Sequence, residues 1–81
     1  MTLAITTQLD CKGLACPMPI VKTAQAMKTL RPGERIEVLA TDRGALKDFV
    51  AWAKATGNRL IEQTQEGEVL HFVLEKKGVT L

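Results

Sequence analysis

The sequence predicts an α/β two-layer sandwich of order βαβαββ, a mixed four-stranded sheet carrying two helices on one face. Three observations predict it. Apolar residues alternate with polar ones in three separate stretches, the mark of strands with one buried face, while two intervening stretches repeat them at helical spacing. The last two strands are joined by only a short glycine turn. Right-handed strand-helix-strand crossovers place both helices on one side of the sheet, with strands one to three parallel and the fourth antiparallel. The other sheet face is left open.

Leu3, Ile5, Thr7 and Leu9 alternate and predict a first strand at about residues 4–10. The loop Cys11 to Ala15 leads to a helix from Pro17 to about Leu30, with Ile20, Val21, Ala24, Met27 and Leu30 as its core stripe. Lys22, Gln25 and Lys28 fall on its solvent side, and Arg31-Pro32-Gly33 ends it. Ile36, Val38 and Ala40 mark a second strand at 34–41, after which Asp42 is expected to cap a helix built on Leu46, Phe49, Val50 and Ala53. Gly57-Asn58 closes that helix, since both residue types tolerate a left-handed backbone. Strands at 59–65 and 68–76 flank the turn Gln65-Glu66-Gly67-Glu68, with Leu70, Phe72 and Leu74 facing inward. Leu39, Val69, Val73 and His71 then point to the open face, where a partner or a second copy can meet the sheet. Trp52 lies off the strict stripe of the second helix and is expected to cover the sheet edge.

At 81 residues the chain is read as one domain, 1–81, with 77–81 as a loose tail. A domain of this size buries only about two thirds of its unfolded surface, so one modest core is the ceiling. An apolar fraction of 46% with 25% charged residues is that of a folded chain rather than a disordered one. Lys12, Lys22, Lys28, Arg31, Arg35, Arg43 and Lys47 are interspersed with acids, giving a net charge of only +2. With one Trp, two Phe and no Tyr there is no stacking platform, so direct nucleic-acid binding is not expected; the basic residues suit steering of acidic protein partners. Neither a signal-peptide pattern nor a bilayer-length apolar run is present, so the reading is cytoplasmic, with no membrane contact and both cysteines as thiols.

Cys16 is the candidate working residue. Proline suits the first helical turn, so Pro17 is expected to start the helix and Cys16 to be its N-cap, where the positive helix end favours a thiolate. Pro17 and Pro19 lack N–H groups, which leaves Met18 the only free donor among the first three helical residues and trades hydrogen bonds for a stiff presentation of the sulfur. Gly13 supplies the turn. A cysteine can be no more than a small buried hydrophobe, but a filler has no need of a proline-framed helix start. Cys11 has two open readings: a strand-end residue against the core, or a second thiol acting with Cys16 in redox or thiosulfate-processing chemistry. A C-x-x-C motif is absent, two Cys and His71 cannot complete a zinc site, and there is no phosphate-binding glycine loop or carboxylate pair. No metal or cofactor is expected.

The run Leu9-Asp10-x-x-Gly13-Leu14-x-Cys16-Pro17-x-Pro19 resembles the TusA family of small sulfur carriers. Arg31-Pro32-Gly33-Glu34, Ala40-Thr41-Asp42 with Gly44-Ala45, and Trp52 extend the resemblance to nearly the full length. It implies a sandwich whose Cys16 carries sulfane sulfur as a persulfide, supported by Gly13, Pro17, Met18 and Pro19, in a carrier of sulfurtransferase type rather than a conventional turnover enzyme. The implied partners are a cysteine desulfurase or rhodanese-type donor and an acceptor protein with a cysteine, serving tRNA thiolation, molybdenum-cofactor assembly or sulfur oxidation; the chain is expected as a monomer or weak dimer. Cys11, Ala15, Met18 and Arg43 depart from residues common in the family, and the first leaves open a variant in which Cys11 attacks a Cys16 persulfide.

Overall fold

A computed structural model describes residues 5–77. The elements run β1 (Thr7–Cys11), α1 (Met18–Met27), β2 (Arg35–Ala40), α2 (Ala45–Thr56), β3 (Arg59–Glu66) and β4 (Val69–Glu75), in the order and number the sequence predicts. Residue 4 of the expected first strand and all of the expected tail except Lys77 lie outside the described residues.

The strands form one sheet in the order β1-β2-β4-β3. β1 and β2 pair in parallel, and β4 runs antiparallel to both of its neighbours, β2 and β3. Because side chains alternate along each strand, the register puts Thr7, Leu9 and Cys11 on the same face as Ile36, Val38 and Ala40, and those on the same face as Leu74, Phe72 and Leu70. Both helices cover this face. Met27 and Leu30 reach it from α1 and the turn after it, and Ala45, Phe49 and Ala53 from α2, forming one continuous core. Phe49 stacks on Phe72 with ring centroids 4.4 Å apart, and Trp52 packs edge-on to Phe49 at 6.4 Å, so the lone tryptophan extends the core outward.

The open face is more polar than the three apolar residues predicted for it suggest. Gln8 donates to Glu37 at 2.7 Å, His71 Nδ1 lies 3.4 Å from the other Glu37 oxygen, and Glu75 sits between Arg35 and Arg59 at 3.1 and 3.5 Å. Arg35 is therefore committed to an intramolecular pair rather than free to steer partners. Val73, opposite Glu37 and Glu62 in the register, is only 4% exposed, while Leu39 and Val69 are half-buried.

Helix α1 begins one residue later than expected and α2 two. Pro17 is the N-cap of α1, not its first residue, and Cys16 lies one position before the cap. The buried face of α1 is Pro19, Thr23 and Met27, not the stripe containing Val21, which is 40% exposed. Thr23 can occupy the core because its hydroxyl donates to the Pro19 carbonyl at 2.7 Å, which leaves no polar atom unpaired. In α2 the N-cap is Gly44, and the buried stripe is Ala45, Phe49 and Ala53, which turns Val50 to solvent. Gly57 ends this helix in the left-handed conformation, φ +79°, as its residue type predicts.

Candidate functional site

Because β1 and β2 are adjacent and parallel, the loops that follow them emerge at the same sheet edge, where α/β sheets place their sites. The first loop carries Cys16 and the second carries Asp42. Lys12 N–H donates to Asp10 Oδ1 at 3.0 Å, and Leu14 N–H to the Cys11 carbonyl at 3.2 Å, folding the first loop into a turn. Gly13 makes that turn at φ +82°, a conformation that strains any residue with a Cβ. Its N–H crosses to Thr41 Oγ1 at 2.9 Å, and Cys16 N–H crosses to Asp42 Oδ2 at 2.6 Å. The two loops are thus laced together.

Asp42 is not the helix cap expected of it, since Gly44 holds that position with no side-chain cap. Asp42 Oδ1 accepts the Gly44 N–H at 2.9 Å, a local turn two residues ahead, while its Oδ2 holds the Cys16 backbone. These two N–H donors keep the Asp42 carboxyl below its ordinary value. A Cβ on Gly44 would lie 3.3 Å from Asp42 Oδ1, tighter than ordinary contact, and 3.5 Å from the Cys16 Cβ, so the start of α2 lies directly against both loop residues.

The Cys16 side chain is exposed, and its thiol donates to Asp48 Oδ2 on the first turn of α2. The hydrogen bond to Asp48 is the main influence holding the thiol above its ordinary value, with smaller contributions from desolvation and from the negative charges of Asp48 and Asp42. This reverses the expected acidification by the helix end. The physical reason lies in the donors of the first turn. Pro17 and Pro19 have none, Met18 N–H is taken by the Ala15 carbonyl at 2.9 Å, and Ile20 N–H by Pro17 at 3.1 Å. With Cys16's own N–H held by Asp42, the sulfur faces a carboxylate and none of these amides.

Cys11 is unpaired like Cys16 but fully buried, at 0% exposure within the core cluster, and burial raises its thiol above the usual value. Its surroundings match a core residue at a strand end and give it no surface at which to attack a bound sulfur. Pro19 is buried and anchors the start of α1, whereas Met18, at 42% exposure, and Val21 share its outer face three residues apart. The result is an exposed thiol followed directly by a small apolar strip. Among the described residues no group of three or more His, Cys, Asp or Glu side chains comes together in a way that could hold a metal ion, and no helix is long and apolar enough to cross a membrane.

Asp48 is the site residue that sequence reasoning missed, together with the second task of Asp42. The available signal was topological. Two adjacent parallel strands bring their following loops together, so acidic residues at the start of α2 belong beside whatever precedes α1.

The chain is similar to known proteins in sequence and in fold. A protein-family model described as "Sulfurtransferase TusA" matches residues 7–76. The chain is 56% identical to YrkI of Bacillus subtilis over 68 residues, covering 84% of this chain and 91% of that protein. It is 44% identical over 69 residues to the "Sulfur carrier protein TusA" of Allochromatium vinosum, covering 85% and 91% of the two chains. The fold is similar to the crystal structure of a SirA-like protein from Desulfitobacterium hafniense, with a TM-score of 0.76 at 18% identity over 88% of this chain and 97% of that one.

Proposed function

The chain belongs to the TusA family, and we propose on that basis that it is a sulfur carrier, holding sulfane sulfur as a persulfide on Cys16 and passing it to a cysteine of a partner protein. The observation that carries the reading is the contrast between the two thiols, Cys16 in the open and Cys11 sealed in the core. Loading begins when the Cys16 thiolate attacks the outer sulfur of a donor persulfide. A Cys16 sulfur–sulfur bond forms, the donor's breaks, and the electron pair leaves on the donor cysteine. Unloading repeats the exchange with an acceptor thiolate as nucleophile and Cys16 as leaving group. Neither step needs a metal, cofactor or external oxidant.

The donor in this reading is a cysteine desulfurase or rhodanese-type protein, and the acceptor a protein on the way to tRNA thiolation, molybdenum-cofactor assembly or sulfur oxidation. Gly13 and Asp42 hold the loop, Pro17 and Pro19 stiffen the helix start, and Met18 with Val21 offers apolar surface to the docking partner. The carrier acts in the cytoplasm as a monomer or weak dimer.

Incubation with a cysteine desulfurase and cysteine, followed by intact mass spectrometry, tests the proposal. The expected result is addition of one sulfur atom to the wild type, reversed by dithiothreitol and absent in Cys16→Ser. Persistence of the added mass in Cys16→Ser would refute it.

A further inference from the structure

Given the carrier reading, on which this inference rests, the placement of one carboxylate bears on the direction of transfer. The Cys16 thiol donates to Asp48 Oδ2, and the charged groups acting on that sulfur are Asp48 from α2 and Asp42 from the loop before it, both negative. We propose that Asp48 biases the carrier toward giving up its sulfur, by holding the empty Cys16 as a hydrogen-bonded thiol and opposing the negative charge of the loaded persulfide.

A donor persulfide anion and the Cys16 thiol become a donor thiol and a Cys16 persulfide anion; the donor's sulfur–sulfur bond breaks, the Cys16 one forms, and the Cys16 proton ends on the donor sulfur. A persulfide is a stronger acid than its parent thiol, so near neutral pH loading replaces a neutral group by an anion. That anion forms beside Asp48 and Asp42, and the proton that Asp48 was accepting is gone. Loading therefore costs a hydrogen bond and gains a like-charge contact, whereas unloading restores the first and removes the second. The amide geometry leaves this uncompensated, because Cys16, Met18 and Ile20 N–H groups are already committed and Pro17 and Pro19 have none. A site built to retain an anion would aim such donors at the sulfur. This one aims a carboxylate.

The test is an anaerobic equilibrium of the intact protein with a fixed ratio of glutathione persulfide to glutathione at neutral pH, with the Cys16 persulfide-to-thiol ratio read by intact mass spectrometry. Asp48→Asn keeps the side-chain shape and removes the charge. Its ratio is expected to exceed the wild-type ratio by roughly three- to tenfold at low salt, the range for a screened pair of nearby charges, with the gap narrowing as salt is added. Asp42→Asn removes the other charge, its one remaining oxygen serving only one of the Cys16 and Gly44 N–H groups, and shifts the ratio the same way by less; it keeps the proposal refutable should Asp48→Asn fold poorly. Equal or lower ratios in the variants, with the wild type loading normally, overturn the proposal while leaving the carrier reading intact. A wild type that takes up no sulfur on Cys16 overturns both.

Discussion

At the scale of the residue, the chemistry of Cys16 is decided by what reaches its sulfur. A cysteine before a proline-started helix invites the view that the helix end makes it acidic, yet the donors that would do so are absent or spent, and Asp48 faces the thiol instead. The alkylation rate of Cys16, followed from neutral to alkaline pH, should therefore show a midpoint above the ordinary thiol value of about 8.5. Cys11 should react only after unfolding. Replacing Asp42 by Ala removes the acceptor for both the Cys16 and Gly44 N–H groups and one negative charge, and the same profile should move to lower pH. Asp42 also has a folded-state value below its unfolded one, so the stability it contributes is present above about pH 4 and fades as pH falls through the folded value. Chemical denaturation from pH 6 down to acid should show the wild type losing more stability than Asp42→Ala. The exposed placement of Cys16 is legible in the sequence because Gly13, Pro17 and Pro19 are local signals. The electrostatics of Cys16 are not, because Asp48 is 32 residues away in the chain.

At the scale of the element, the structure is a set of strands and helices whose existence the apolar rhythm announces and whose faces it places less exactly. In α1 the rhythm favoured Val21 because threonine and proline count as polar or breaking, but Thr23 pairs its hydroxyl with the Pro19 carbonyl and both are buried. Thr23→Val should consequently change stability by less than about 1 kcal/mol, since removing a satisfied hydroxyl leaves no acceptor stranded that the helix does not already use. In the β1-to-α1 loop the demand is conformational. Gly13 has φ +82° with open space where a Cβ would go, so Gly13→Ala should cost about 1 kcal/mol through backbone strain alone, read as a lower urea midpoint at unchanged m-value. The sequence places both helix starts too early because Asp42 resembles a cap and Pro17 a first residue. In the fold, Asp42 spends its oxygens on Gly44 and Cys16, and Pro17 is itself the cap.

At the scale of the whole molecule, the sheet order β1-β2-β4-β3 puts the last strand between two earlier ones and seats Phe72 under Phe49. The strand directions follow from the crossovers, but the insertion of β4 beside β2 depends on long-range pairing that local patterns do not encode. With so small a core, Phe49→Ala should cost about 3–5 kcal/mol, a large fraction of the total stability of a domain this size, and leave a substantially unfolded population by circular dichroism. Cys11 and Cys16 both have folded-state values raised above the unfolded one. Their contribution is full below about pH 8.5 and is lost as pH rises through the folded values, so stability should decline in the alkaline range. The fold leaves one thiol exposed and seals the other, so the proposed carrier role has only Cys16 to fall on. The most direct measurement is to load the wild-type protein from a persulfide donor and locate the added sulfur by fragmentation of the intact chain in the mass spectrometer. The account predicts it on Cys16 with Cys11 unmodified; sulfur on Cys11, or a Cys11–Cys16 disulfide in its place, would contradict it.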